Sequence, residues 1–204
     1  MVTTSNSSAY YVTGMSDLIT REINETGTDF IGDAKLWSGA VEAEITFTKT
    51  VTKFAADNNP NYAVVAGPTT GQGTIKLFGV KNSEFKDILP VQYSQDKGVR
   101  ISGIAPMKFF AASFIQKCSD SSSNKIIMYK IAIMDDMPIV STTINGDGVE
   151  IKDFTFNVEV YQVPYVKEGG ETGSVVYDII NNRDNTQRWS ENDGTIMLPY
   201  DLEG

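Results

Sequence analysis

The sequence contains no histidine and only one cysteine among its 204 residues. Histidine is the usual general base near neutral pH, so serine and cysteine nucleophiles have no histidine to activate them. Cys118 has no second cysteine with which to form an internal disulfide or a C-x-x-C metal site. We predict that it is a half-buried thiol in a strand. We therefore expect no catalytic residues, no metal ligands and no cofactor, and the protein surface becomes the candidate for function.

Long apolar runs are also missing, since none reaches the roughly 18 residues of a membrane-spanning helix. The first residues, MVTTSNSS, have neither a basic patch nor an apolar stretch, so we expect no signal peptide and no membrane partner. Positive charge is scarce, with 17 Lys and Arg against 26 Asp and Glu and a net charge of −9. Tight binding to DNA phosphates or anionic lipids needs clustered Lys and Arg. The chain instead suits a soluble protein, made in a reducing cytoplasm, that can repel DNA as a conduit would.

Strict alternation of apolar and polar residues is the most informative pattern that is present. It occurs as VEAEITFT at residues 41–48 and as FTFNVEVY at residues 154–161. A period of two residues predicts strands with one dry and one wet face. Glu42, Glu44 and Glu159 stand on the wet faces, so the sheet surface is acidic at these positions.

The whole chain, 1–204, is predicted to be one mainly-β domain with terminal arms. Small polar residues at 1–9 indicate a flexible N-terminal arm, and residues 164–204 form a glycine-bearing C-terminal extension. We expect the N-terminal arm, and the extension from residue 168 onward, to be ordered only in assemblies. Residues 16–23 fit either a strand or a short helix, and residues 24–39 are interpreted mostly as a connection.

Residues 50–73 lie between two alternating strands and are rich in turn formers, which predicts a long loop or a projecting hairpin. One short flanking helix is predicted at about 83–89, because a polar cap precedes it, apolar residues share one face and a proline ends it. Residues 108–117 and 125–134 are predicted to pair as a hairpin around a serine-rich turn. A further strand is predicted at residues 175–180.

Motifs that could carry chemistry are weak. Gly67–Gly73 is rich in glycine, but no Gly-Lys-Ser/Thr follows it as in a phosphate-binding loop. Asp135–Met137 and Asn145–Glu150 contain oxygen ligands without the spacing of an EF-hand, which favours turns over a metal site. Trp37 and Trp189 are interpreted as packing residues rather than platforms for sugars.

Several segments resemble, in their order, the major tail proteins that form the tail tube of long, non-contractile-tailed bacteriophages. The resembling segments are Gly39–Thr48, Thr52–Tyr62, Gly73–Val80, Phe85–Leu89 and the alternating strand 154–161. The resemblance covers about residues 10–163 and leaves the C-terminal extension without a counterpart.

The resemblance implies a β-sandwich or open barrel of antiparallel strands with one flanking helix. It also implies that six copies form a ring and that rings stack into a tube in the virion tail, through which DNA passes without specific binding. Partners would be further copies of the chain, a tape measure protein and tail-end proteins. Assembly would take place in the host cytoplasm.

Two sets of candidate site residues follow from this resemblance. Glu42, Glu44 and Glu159 are candidates for the wall of the lumen, with a solvated outer face as the alternative. The candidate contact loop between rings contains five residues, which are Asp57, Asn58, Asn59, Pro60 and Tyr62.

Other functions stay open at this point. A tube from a secretion system or a tail-like bacteriocin would show nearly the same sequence features. A β-sandwich recognition module would be a monomer with exposed aromatic residues at its loop tips. A hydrolase based on a pair of carboxylates is formally possible, since Asp and Glu alone can do acid–base work.

Overall fold

The computed structural model describes residues 12–56, 59–101, 106–135, 153–166 and 172–182. These residues form twelve β-strands and one 3-10 helix at Asn82–Asp87. The strands are β1 (Val12–Ile23), β2 (Phe30–Trp37), β3 (Ala40–Ala56), β4 (Asn59–Phe78), β5 (Val91–Ser94), β6 (Gly98–Ile101), β7 (Phe109–Cys118), β8 (Ser123–Ile133), β9 (Asp153–Tyr161), β10 (Val163–Val166), β11 (Thr172–Val175) and β12 (Tyr177–Asn182).

Eight strands form one antiparallel sheet in the order β2-β1-β7-β8-β9-β4-β3, with β12 paired to β8. Because β7 occupies one edge of β8, strands β9 and β12 share the other edge. Strands β5–β6 and β10–β11 form two separate two-stranded ribbons. The predicted mainly-β fold is therefore confirmed.

The sheet curls because its two edge strands are consecutive in the chain. Only Ser38 and Gly39 lie between β2 and β3. The Cα atoms of Trp37 and Ala40 can therefore be no more than roughly 11 Å apart. Strands β1 and β3 also contact each other, although they are far apart in the sheet order. The result is the open barrel that the resemblance implies.

The core fills the inside of this curled sheet. Its buried residues are Leu18, Trp37, Ile75, Leu77, Phe85, Ile88, Leu89, Phe110, Ala112, Phe114, Met128, Ile131, Phe156, Val158 and Val160. Phe85, Ile88 and Leu89 come from the 3-10 helix and the turn after it, and all three are buried as the shared apolar face predicts. Trp37 lies in the core, which confirms its interpretation as a packing residue.

The 3-10 helix is held on the barrel by charged contacts with β2. Lys35 Nζ lies 2.6 Å from Asp87 Oδ2 and 3.5 Å from Glu84 Oε1, above the ring of Trp37. Glu84 also accepts a hydrogen bond from the backbone N–H of Lys81 at 2.8 Å. The short helix is thus present close to its predicted position, with 3-10 rather than α geometry.

Both alternating segments are strands with one inward and one outward face. The inward residues Phe156, Val158 and Val160 of β9 are buried. In β3 the alternation fails at Val41, which is 42% exposed. The pairing register of β3 with β4 shifts between Ala40 and Glu42, and such a bulge turns a side chain away from the face that periodicity predicts.

Other sequence predictions differ from the structure in instructive ways. Residues 24–39 were expected to be mostly a connection, but they contain β2. Residues 16–23 belong to strand β1 rather than to a helix. The glycine cluster Gly67–Gly73 does not end the strand, because it lies inside β4. Cys118 is at the end of β7 and is fully rather than half buried.

The described part of the C-terminal extension is built into the fold. β12 pairs with β8 from Tyr177↔Met128 to Asn182↔Ser123. A second apolar cluster contains Val163 and is packed by Val175 and Ile180 of the same extension. Residues 172–182 therefore have pairing and packing partners within the same chain. That the extension becomes ordered only in assemblies stays a prediction. Residues 1–11, 136–152 and 183–204 lie outside the described residues, so Trp189 and the motif at 145–150 are not placed.

Candidate interaction surfaces

The three candidate glutamates lie on one outward surface of β3, β4 and β9, which we call the polar face. Its side chains are aligned in three rows across the strands. The rows are Glu42–Lys76–Thr155, Glu44–Thr74–Asn157 and Thr46–Gln72–Glu159. Directly paired residues have Cβ atoms about 4.5–5.5 Å apart, so the rows form one continuous surface. The structure thus brings together residues that are more than a hundred positions apart in the sequence.

Acidic groups are in excess on the polar face. Lys76 Nζ lies 3.7 Å from Glu42 Oε2 and 3.3 Å from Asp153 Oδ2. Glu159 accepts a hydrogen bond from Gln72 Nε2 at 3.2 Å. Glu44 is exposed. Within the three rows one lysine therefore faces several carboxylates, and the local charge is negative.

Tyr161 and Lys130 lie at the end of the polar face nearest β8. The hydroxyl of Tyr161 donates a hydrogen bond to Glu159, and burial together with this bond and the carboxylate charge raises the pKa of Tyr161 to about 12. Lys130 pairs with Tyr161, lies 4.2 Å from the ring centroid of Phe109 and donates to the backbone oxygen of Glu25. Burial lowers the pKa of Lys130, against the opposing charge of Glu25. These contacts hold the side chains of Tyr161 and Lys130 at this end of the polar face.

A projecting hairpin is the second surface. Strand β9 pairs with β4 only from Gly71 to Phe78, whereas β3 pairs with β4 as far as Ala56↔Asn59. Residues 48–56 and 59–70 therefore continue beyond β9 as a two-stranded ribbon, which we call the arm.

The arm exposes apolar side chains on both of its faces. Val51, Phe54, Val64 and Val65 are each between 50% and 57% exposed. Isolated two-stranded hairpins are marginally stable in water, and contiguous exposed apolar residues often mark sites of association. The only charged residues in the described part of the arm are Lys49 and Lys53. Sequence reasoning missed these valines, although two adjacent apolar residues at 64–65 already indicate that both faces of a strand are apolar.

Three of the five candidate contact residues lie in the described part of the arm. Asp57 and Asn58 lie outside the described residues, while Asn59, Pro60 and Tyr62 lie in the first part of β4. The backbone of Asn59 pairs with that of Ala56. Their role in contacts between copies stays a prediction.

A depression on the polar face, lined by Thr46, Gln72 and Asn157, is open to solvent. Within the described ranges, no cluster of Cys, Asp and Glu has the arrangement of a metal site. The described part of the chain also contains no helix of the length and apolarity needed to cross a membrane.

The sequence profile of a family described as phage tail tube protein matches residues 4–200. The chain belongs to this family. Tail tube proteins are structural proteins of the virion tail that associate with further copies to form a tube, and this chain shares that role and location. The match extends well past residue 163, so the C-terminal extension is also part of the tail tube sequence. A comparison with curated proteins finds no match.

Proposed function

We propose that this tail tube protein assembles into stacked rings of six copies and that the tube is the conduit for DNA ejection. Six copies in each ring is what the resemblance to major tail proteins implies. The observation that carries the proposal is the arm, a ribbon that leaves the barrel with apolar side chains exposed on both faces. The proposed partner of the arm is a second copy of the chain, because every subunit of a tube has further copies beside it.

The arm is proposed to contact the neighbouring ring. Burying a valine or phenylalanine side chain contributes about 1.5–3 kcal/mol relative to full exposure, and about half of that remains to be gained at Val51, Phe54, Val64 and Val65. Such a gain at every copy of a ring would stabilise stacking. The candidate loop residues 57–60 and Tyr62 would then lie at or next to this contact.

The polar face is proposed to line the lumen. Its excess of carboxylates at Glu42, Glu44 and Glu159 would repel DNA phosphates, and ring symmetry would repeat that charge around the wall. Clustered lysines would instead bind DNA with release of counterions. A position on the outside of the tube is the alternative for the same face. The tape measure protein and the tail-end proteins are proposed as further partners.

Negative-stain microscopy of concentrated protein tests the arm directly. The double variant Val51→Ser with Val65→Ser keeps the hairpin backbone, whereas a deletion would leave β3 without its partner strand. We expect folded protein that forms no tubes or only short ones. The matched control is Ile101→Ser with Met107→Ser, which makes the same kind of change at exposed apolar residues away from the arm.

Each result has a defined meaning. Tubes of normal length from the arm variant would contradict the stacking role. Equal loss of tubes in the control would show that general solubility, rather than the arm, decides assembly. Wild-type protein that stays monomeric on a sizing column and forms no tubes at any concentration would favour a monomeric recognition module.

A further inference from the structure

The arm leaves the barrel at a site where glycine and an aromatic ring are paired. Phe47 of β3 pairs with Gly71 of β4, and Gly71 pairs with Val160 near the end of β9. A Cβ atom on Gly71 would lie 2.6 Å from Cε1 of Phe47 and 3.0 Å from Cβ of Val160. The ring of Phe47 therefore lies over the backbone of Gly71, at the last position where the ribbon is supported by a third strand.

The same ring is stacked on a residue of the C-terminal extension. The ring centroids of Phe47 and Tyr177 are 4.1 Å apart, and the ring planes are inclined by 24°. Tyr177 is 37% exposed, so the stack lies at the surface rather than deep in the core. It joins the base of the arm to the first residue of β12.

β12 is anchored by contacts that do not involve the ring of Tyr177. Its backbone pairs with β8 along its length. Asp178 accepts a hydrogen bond from the hydroxyl of Tyr129, and Ile180 packs against the second apolar cluster. The strand is therefore a fixed support against which Phe47 can be held.

We propose that the Phe47–Tyr177 stack is a latch through which the docked C-terminal strand sets the direction of the arm. A two-stranded ribbon without a third strand can twist and bend about its base. Stacking of two aromatic rings adds a directional contact at that base beyond the burial of surface. Docking of β12 on β8 thus prepares the arm for a neighbouring copy. The consequence for assembly rests on the proposed function of the arm.

The direction of the arm can be measured in the isolated chain by pulsed electron paramagnetic resonance. Spin labels are attached to Lys53→Cys on the arm and Thr155→Cys on β9, in a Cys118→Ala background. We expect one narrow distance distribution in this reference protein and in Tyr177→Phe, which keeps the ring. Tyr177→Ala and Tyr177→Leu should broaden or shift the distribution. Ile179→Ala, which trims a more exposed residue of the same strand, is the matched control and should leave it narrow.

Assembly is followed with the unlabelled variants by light scattering. Loss of the stack should slow tube formation about tenfold, as expected when one aromatic contact that orders the arm is lost before association. Tyr177→Phe and Ile179→Ala should assemble at the wild-type rate. Tyr177→Leu retains apolar bulk, so a folded Leu variant decides the matter if the Ala variant does not fold.

The two proposals fail in different ways. An unchanged distance distribution in a folded Tyr177→Leu protein would overturn the latch. A broadened distribution with an unchanged assembly rate would overturn its role in assembly. A reference protein that never forms tubes would overturn the proposed function alone, because the distances in the single chain would still report whether the stack directs the arm.

Discussion

Tyr161 donates a hydrogen bond from its hydroxyl to Oε2 of Glu159, at 2.5 Å, between two residues of the same face of β9. The other oxygen of this carboxylate accepts a bond from Gln72. Both oxygens of Glu159 are therefore held, whereas Glu44 stands exposed on the same face. The negative charge of the polar face is thus fixed in position at the row nearest β8.

This contact predicts a specific alkaline sensitivity. Burial, then the hydrogen bond and charge of Glu159, raise the pKa of Tyr161 from 10.0 to about 12. The stabilising contribution is therefore complete below pH 10.0 and is lost as the pH rises to about 12, because the unfolded chain loses the tyrosine proton first. Urea unfolding across this interval should show wild-type protein losing stability relative to Tyr161→Phe.

Lys130 is present in both wild type and Tyr161→Phe, so the difference between their stability curves mainly reports the titration of Tyr161. The lowered pKa of Lys130 acts with the opposite sign, favouring the folded state as the pH rises towards 10.5. Glu159→Gln should bring the titration of Tyr161, followed by its ultraviolet absorbance, down towards 10.0. Parallel stability curves for wild type and Tyr161→Phe would show that the contact has no energetic effect.

A buried hydrogen bond between Trp37 and Thr20 should be important for stability. Trp37 Nε1 donates to Thr20 Oγ1 at 2.7 Å, and both residues are buried. Thr20→Val keeps the shape of the side chain but leaves the indole N–H without this acceptor, which should cost about 1–3 kcal/mol of unfolding free energy. Thr46→Val on the exposed polar face is the control and should stay within about 0.5 kcal/mol of wild type. Equal stability of the two variants would contradict the prediction.

Gly73 is expected to tolerate no side chain. A Cβ atom there would lie 1.9 Å from the backbone oxygen of Glu44 and 2.7 Å from Cα of Ile45, so β3 and β4 would have to move apart. Gly73→Ala should lower the free energy of unfolding by about 1–3 kcal/mol, the usual cost of overpacking. Gly14→Ala is the matched control, because nothing lies within 4 Å of its added methyl group. Thermal unfolding with equal midpoints for both variants would show that the strands adapt without cost.

The lumen assignment is tested by reversing charge on the polar face. Glu42→Lys with Glu44→Lys should change stability by only about 0.5 kcal/mol, since both side chains are exposed. If the polar face lines the lumen as proposed, assembled particles should eject DNA more slowly, because lysines would then face the phosphates.

Single variants provide the matched comparison for ejection. Glu44→Lys and Asp33→Lys make the same change at exposed strand positions, but Asp33 is on β2, away from the polar face. Only Glu44→Lys should slow ejection measured by release of dye-labelled DNA. Wild-type ejection rates from particles that carry the double variant would place both glutamates outside the lumen.

The strands that could be predicted are those in which apolar and polar residues alternate within the strand itself. The alternation at 41–48 and 154–161 identified β3 and β9 and placed the three glutamates on the wet side. The exposure of Val41 could not be predicted in this way, because a bulge depends on how the strand pairs with its partner and not on the alternation of its own residues. Strand β2 could not be predicted in this way either, because Gly32, with a φ of 74°, and Asp33 interrupt an edge strand in which half of the residues are exposed.

Contacts between distant segments could not be predicted in the same way. Residues 175–180 were predicted to form a strand, but its pairing with β8 was not predicted, since the partner of a strand is set by the whole fold. Gly71 and Gly73 were interpreted as turn formers. In the structure they instead admit the ring of Phe47 and the backbone of β3 at close range. A single sequence does not distinguish a glycine that lets a neighbouring strand or ring approach closely from a glycine that forms a turn.

The arm also has mechanical properties that follow from its long antiparallel pairing. The cross-strand hydrogen bonds between β3 and β4 run perpendicular to the strands. A force that pulls the two strands in opposite directions along their axis therefore loads many of these bonds together in shear, whereas a pull that separates the strands at one end would break them singly. An arm that is stretched lengthwise between stacked rings would carry tension through its backbone, and a bending tail could strain its side-chain contacts without unravelling the hairpin.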